Sequence, residues 1–546
     1  KRRLWPWMVV LAVLGGLLAY MYWPTGPVKI IISRETTYIT APLNSDGTPN
    51  YMAYLDANYS QGVTPENNAA PLLLRAFGAD MLSDAFDPMP PSKKDEILTR
   101  LGLPADILDG DQHYVTWKDY AESLKAHAKD ANSSRSDTHD RPTLGEVYNQ
   151  LLAGKVHPDL EAWLARNASS LELIRQASAK DRLYIPLVSR TDPPSIVELY
   201  NPFWMLYFEA ADALAIRAVL KISRNDLRGA WDDVLAVHRL ALVQNPGPGM
   251  DGRLIATWIE KRAARSGICL ATRGHLPSGE IRELLSKLSA FKPVGGAVAA
   301  YDNAERLYML GWVMLLYRTK EYGHIGMLHM DLPDVSDLDW NQMLRRINYW
   351  YDQRTVLFRQ LQSQATKGSF MTFGAFLAES NKIIKPAGPP SRLRSWLLDY
   401  GGRPFCAART DWSTSRIIYR WDQATPLALD SEDQANMTHE IEMLAVALAC
   451  FHVENGRWPA ELKELCPSLL KTIPIDRFSG NPLIYKPGEN GYLLYSVGKN
   501  GEDDGGQNPP NDNRKDDIVA EVKPADARPT ETMPAKAASR SAASHP

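Results

Sequence analysis

The sequence predicts a mainly α fold in three parts. These are an N-terminal transmembrane helix, a large multi-helix region that reads as a possible helical-hairpin array, and a small C-terminal α+β module. Three observations predict it. Residues 4–23 carry no charge. Between residues 144 and 364, segment after segment shows apolar residues at helical spacing. Between residues 481 and 522 the pattern changes to short β-rich runs around turn formers.

Composition bounds the function. The 546 residues are 45% hydrophobic and 23% charged, with a net charge of −3. That length fits three or four domains with ample core. The charge balance argues against nucleic acid as a partner. Four cysteines without a C-x-x-C exclude a disulfide scaffold and a zinc ribbon. The domain boundaries that follow are 1–27 for the anchor, 28–142 for a mostly helical N-terminal region, 143–425 for a helical domain, 426–523 for the α+β module and 524–546 for a disordered tail.

Lys1, Arg2 and Arg3 precede the uncharged run, and Trp5, Trp7, Tyr20, Tyr22 and Trp23 mark its ends. Twenty apolar residues can span a bilayer, with aromatic residues at the interfaces. The basic flank places the N-terminus inside, so the expectation is a bacterial inner-membrane protein with a single-pass signal anchor and an extracytoplasmic bulk. A cleaved signal peptide is the competitor, but the bulky residues at 20–23 offer no A-x-A site.

Residues 28–42 are β-branched and read as extended. Helices are expected at 68–82, 92–101 and 116–129, and an exposed polar loop at 131–142. Further helices are expected at 157–180, 202–223, 226–244, 250–274, 278–291, 296–322 and 337–364. Asn225 and Asp226 between two helices, with Gly229 soon after, look like a tetratricopeptide-type hairpin. No repeated consensus occurs, so an irregular all-α domain is the alternative. The apolar run 307–317 is too short to span a membrane and reads as a core helix. Pro386, Pro390, Gly401 and Gly402 mark the approach to the last module.

In that module Asp430 and Ser431 read as a helix start. Ile441, Leu444, Ala445 and Leu448 lie on one face, and Met443, Val446, Ala447 and Cys450 on another. A helix apolar nearly all round is buried on both sides. A short helix is expected at 460–470. Residues 481–485 and 492–497 flank a loop ending in Asn490-Gly491, the pattern of a β-hairpin. Residues 518–522 offer a third strand. Glu502, Asp503, Asp504, Asp512, Asp516 and Asp517 form an acidic, glycine-rich loop. Clustered carboxylates repel unless solvated or bridged by a cation, and hard oxygen ligands suit Ca²⁺. The spacing is not that of an EF-hand, and a plain solvated loop is the alternative.

Arg457-Trp458-Pro459, Ile473-Pro474-Ile475-Asp476, Gly480-Asn481-Pro482, Tyr485, Gly491-Tyr492, Tyr495-Ser496-Val497-Gly498, Asn500-Gly501 and Asp517-Ile518 follow one another in the order of a known family. This stretch, about 90 residues with its preceding helix, resembles the C-terminal half of the major pseudopilin of type II secretion systems. The resemblance implies a pseudopilin-like module and calcium at the last loop. Carried over, its ligand is Asp517, with Asp503 and Asp504 as further candidates. Asn500 stands where that family has Asp. No pseudopilin processing site occurs, which implies a module reused as a globular domain and not as a filament subunit.

Catalytic motifs fail individually. His439-Glu440 opens like a zincin helix, but Met443 stands where the second His must be. Ser496-x-x-Lys499 lies inside the pseudopilin-like turn. His324 and His329, with Asp331 nearby, are badly spaced for one helix face. Asp232-Asp233 reads as a solvated face. Cys450 and Cys466 flank the module's helix–turn, and whether they pair is open. The expected function is therefore a membrane-anchored extracytoplasmic binding or assembly protein of the bacterial envelope. It would have a protein partner, calcium as the one candidate cofactor and no catalytic residues. The alternative is a hydrolase-type enzyme whose site is built from non-contiguous residues of the helical domain.

Overall fold

The structure is a computed structural model. It describes residues 5–22, 28–82, 88–109, 113–130, 142–200, 204–244, 249–319, 338–365, 379, 382, 403–421, 425–509 and 514–523. His324, His329 and Asp331, most of the 131–142 loop, residues 386–390 and 401–402, Asp512 and the 524–546 tail lie outside them. The chain is mainly helical, with a small three-stranded antiparallel sheet at its C-terminal end.

The first helix, α1 (Trp5–Tyr22), forms where the uncharged run predicts it. The transmembrane anchor nevertheless has to be withdrawn. Among the described residues no helix is long and apolar enough to cross a membrane. The single-pass, N-in placement in the bacterial inner membrane rested on that span and falls with it.

The segment after α1 is not extended as its β-branched content suggests. Residues 33–38 make turns, held by the Thr36 and Thr37 hydroxyls donating to Ile31 and Ser33 carbonyls. Helices α2 (Tyr51–Tyr59), α3 (Ala70–Phe77), α4 (Pro91–Leu101), α5 (Trp117–Asp130), α6 (Leu144–Leu152), α7 (Leu160–Arg166) and α8 (Ala168–Ser178) follow. The expected helix over 157–180 is broken at Asn167, which is buried and bonds Val115 through both its amide oxygen and its amide nitrogen. That tertiary use of a side chain overrides the continuous pattern.

The body of the molecule is α9 (Trp204–Ser223), α10 (Leu227–Gln244), α11 (Gly249–Arg273) and α12 (Ser278–Ser289). Asn225 makes the reversal between α9 and α10 at φ +62°, a conformation asparagine tolerates better than most residues. Asp226 caps α10 by accepting from Gly229 N at 3.0 Å. A Cβ at Gly229 would stand 2.4 Å from that carboxylate. Asp233, expected on a solvated face, is 1% exposed and holds Arg217 and Lys221. A second core is built by α13 (Ala297–Ala300), a π-turn (Tyr301–Glu305), α14 (Arg306–Thr319), α15 (Trp340–Ala365) and α16 (Cys406–Trp421). The apolar run 307–317 lies in α14, most of it buried here.

The last helix, α17 (Thr425–Asn455), has 31 residues and joins both cores. It starts before the expected N-cap. Asp430 pairs with Lys499, and the Ser431 hydroxyl pairs with that of Thr257 at 2.7 Å. Those tertiary partners satisfy residues that otherwise favour a helix start. From Ile441 to Cys450 almost every apolar residue is sealed, because α17 runs between α11 and α12 on one side and the sheet on the other. The short helix expected at 460–470 is only a 3-10 turn, Leu462–Leu465, stopped before Pro467.

Strands β1 (Ile484–Gly488), β2 (Gly491–Ser496) and β3 (Ile518–Val522) form an antiparallel meander in the order β1-β2-β3. Tyr485 faces Leu494, and Leu494 faces Ala520. The tight turn at Glu489-Asn490 is made without left-handed backbone at Asn490 or Gly491. Gly491 is needed for another reason: a Cβ there would lie 2.0 Å from the Val522 carbonyl oxygen. Tyr492 and Leu494 pack toward α17, while the acidic loop folds back over Leu493 and Tyr495.

Candidate functional site

Helices α10, α11 and α17 meet along one seam, and their inward faces are not wholly apolar. On α10, His238 lies between the buried Val234 and Ala241 and is fully buried. On α11, Glu260 lies among Ala256, Ile259, Ala263 and Ala264, all fully buried. On α17, His439 and Glu442 are three residues apart and therefore share a face. Glu442 is fully buried, and the His439 side chain is 12% exposed.

These four side chains converge. His238 Nδ1 is 3.0 Å from both Glu260 carboxylate oxygens. His238 Nε2 is 3.2 and 3.1 Å from the two Glu442 oxygens. His439 Nδ1 is 2.9 Å from Glu260 Oε1 and 3.6 Å from Glu442 Oε2. Despite this closeness, neither His439 Nδ1 nor Glu442 Oε2 has a hydrogen bond of good direction. Gly267 on α11 makes the room: a Cβ there would sit 1.6 Å from Glu442 Oε1. The Phe291 ring lies 5.4 Å from that of His238 and adds to the apolar wall.

Burial disfavours a charged imidazole at His238, but Glu260 and Glu442 outweigh it and push its pKa up to about 10. Burial likewise disfavours the Glu260 anion, but His238 and His439 outweigh it and bring its pKa down to about 2. Two buried carboxylates between two imidazoles make a donor set that can hold protons or a cation, since burying such charges unpaired costs several kcal/mol.

The same seam carries a second polar patch. Lys261 Nζ lies 3.3 Å from Ser431 Oγ and 3.4 Å from Gln434 Oε1. Burial, with Arg265 and Arg262 nearby, brings its pKa down to about 8.

The residues singled out from sequence are placed differently. Asp503 accepts from the Tyr495 hydroxyl at 2.9 Å and from Gly505 N. Asp504 accepts from the Asn500 side chain at 2.9 Å. Asp517 is fully buried and accepts from Gly506 N at 2.7 Å and Gln507 N, with its Oδ1 left without a hydrogen bond. Among the described residues these three do not make a three-ligand group; the one that arises is His238, His439 and Glu442. Lys499 pairs with Asp430 at 2.8 Å, while Ser496 Oγ takes Gly498 N. Among the described residues no disulfide joins any of the four cysteines, Cys450 and Cys466 included.

Of the cluster, the sequence brought out only His439, as half of a failed zincin helix. His238, Glu260 and Glu442 went unseen. Their one local signal is a polar residue on a face otherwise filled by Ala, Leu, Ile and Val. No family model, curated protein or solved structure matches the chain.

Proposed function

We propose that this chain is a non-catalytic binding or assembly protein, in which a helical body and a pseudopilin-like C-terminal module are joined into one rigid piece. One observation carries the reading. The dense constellation of titratable side chains is sealed, with His238 and Glu442 fully buried. Substrate sites are concave and open, and catalytic metal sites keep an accessible position. The recess lined by Leu270, Leu276, Ile281, Leu284, Val446 and Ala449 is apolar and offers no acid, base or nucleophile.

The module reading is supported by the ordered motifs between Arg457 and Ile518 and by a meander lying against a long helix. Calcium at Asp503, Asp504 and Asp517 belongs to that reading. The buried Asp517 Oδ1 without a partner is the feature in its favour.

The test has two arms. The full chain is assayed against ester, peptide, phosphoester and glycoside reporters. The expected rate equals the buffer blank, and turnover abolished by His238→Ala or Ser431→Ala overturns the reading. Photo-crosslinking probes placed at Lys486 and Glu489 on the open sheet edge are expected to capture one reproducible protein from the native cell. Absence of any crosslinked species there and at the acidic loop counts against a binding role.

A further inference from the structure

We propose that His238, His439 and Glu442 bind one divalent ion of the zinc type, with Glu260 orienting His238, and that this ion pins α17 to the helical body. The inference stands apart from the binding role above and holds for either function.

The geometry argues for it in four steps. The donors are two imidazoles and a carboxylate, a set that suits a borderline ion taking nitrogen and oxygen. Bonds of about 2.0–2.1 Å around a tetrahedral ion put neighbouring ligand atoms about 3.3 Å apart. The His238 Nε2–Glu442 Oε2 and His439 Nδ1–Glu442 Oε2 separations, 3.1 and 3.6 Å, bracket that edge. All three ligand atoms lie within 4.8 Å of one another.

Two atoms of this set, His439 Nδ1 and Glu442 Oε2, lack a well-directed hydrogen bond, His439 Nδ1 having only the Glu260 carboxylate 2.9 Å away off the hydrogen-bond direction. A buried polar atom in that state is costly, and an ion between them removes the cost.

Glu260 supplies the outer contact. It takes His238 Nδ1–H at 3.0 Å, which leaves the Nε2 lone pair facing Glu442. A carboxylate holding the far nitrogen of a ligating histidine is the usual support for such an ion. Gly267 completes the cradle, since any side chain there would occupy the Glu442 carboxylate's space. Charge closes the argument: two sealed carboxylates need two positive charges, and one divalent ion supplies both while the imidazoles stay neutral. The ion enters past His439, the member that reaches the surface. Three protein ligands leave the fourth corner of the tetrahedron to a water, and the closed surroundings keep any substrate from it.

The experiment uses the full chain purified from zinc-supplemented medium without chelator. Elemental analysis is expected to give about one zinc per chain. After chelation and addition of Co²⁺, visible d–d bands of a tetrahedral nitrogen–oxygen site are expected. His439→Gln and Glu442→Gln lose the ion and the bands. Glu260→Gln weakens affinity about ten- to a hundredfold. Glu440→Gln, on the same helix but paired with Arg477, keeps both. His439→Gln is the deciding variant, because its partly exposed side chain can be replaced without unfolding the seam. A folded wild-type chain with no stoichiometric zinc, no cobalt bands and a Tm unmoved by chelator overturns the proposal, and leaves a proton-bridged ionic network. So does a His439→Gln chain that binds the ion as tightly as wild type.

Discussion

Two acid-rich clusters, one in the seam between α10, α11 and α17 and one in the loop before β3, manage their charge by opposite means. The Glu260–Glu442 cluster is sealed among helices and faces two histidines. The Asp503–Asp517 loop lies on the outer face of the sheet, and backbone N–H groups and short polar side chains hold its carboxylates. The difference teaches where a charge has leverage. In the sealed cluster each group is indispensable to its neighbours, because no water can replace a lost partner. In the loop, solvent can replace what a substitution removes at the exposed Asp503, while Asp517 is as buried as the sealed cluster.

The sharpest way to break this contrast is to remove one sealed partner. Glu442→Leu leaves His238 and His439 without their shared carboxylate and is expected to cost about 3–5 kcal/mol. Chemical denaturation at constant pH measures it. A cost below about 1 kcal/mol would show that the seam is wetter than its burial implies. Next in size is Gly267→Ala. Its Cβ would meet Glu442 Oε1 at 1.6 Å, so the carboxylate has to leave its place, and overpacking of this kind costs about 1–3 kcal/mol. The double variant with Glu442→Leu is expected to be less than additive, because the residues are in contact.

How much of this was legible in the sequence depends on the range of the interaction. Long helices with a regular apolar repeat, such as α9, α10 and α11, could be read because the signal repeats within one segment. The hairpin could be read from alternation around residues 484–496, although its glycine serves strand approach at Val522 and not the turn. Helix α17 was expected to start at Ser431 because Asp430 and Ser431 favour caps locally. Their partners, Lys499 and Thr257, are far away in sequence. The membrane anchor was read from an uncharged run, yet no helix among the described residues is long and apolar enough to cross a membrane. The His–Glu cluster was illegible for the plainest reason. His238 and Glu442 are separated by 204 residues, and no spacing rule links them.

A third acid separates burial from pairing, the two factors mixed in the comparison. Glu209 on α9 is partly buried, and among the described residues the charges that act on it are those of Asp119 and Asp212, not a histidine's. Burial therefore pushes its pKa up to about 7, partly offset by the Trp117 backbone N–H at 2.6 Å. The folded chain then binds a proton that the unfolded chain, near 4.5, has already released. Its contribution to stability falls as pH rises from about 4.5 to about 7, and the penalty is full above that. Glu209→Gln keeps the acceptor for Trp117 N without the charge. It is expected to raise stability by about 1 kcal/mol at pH 8 and to change little at pH 4.5. Thermal melts at the two pH values decide it. Equal effects at both would mean that the side chain turns out to solvent.

The smallest expected effect lies in the loop and bears on calcium. Without calcium, Asp504→Asn removes one of several neighbouring negative charges while Asn500 can still be bonded, so stability should change by no more than about 0.5 kcal/mol. With millimolar Ca²⁺, the wild-type chain is expected to melt higher and to resist proteolysis between residues 503 and 517. Asp504→Asn and Asp517→Asn should lose both responses. Loss of the response only in Asp517→Asn would place the ion at the buried Oδ1 that lacks a hydrogen bond. A wild-type chain indifferent to Ca²⁺ and to chelator would sharpen the contrast further. The sheet's acids would then be held by backbone donors, the Tyr495 and Asn500 side chains and water alone, and bridging by a cation would belong only where water is shut out.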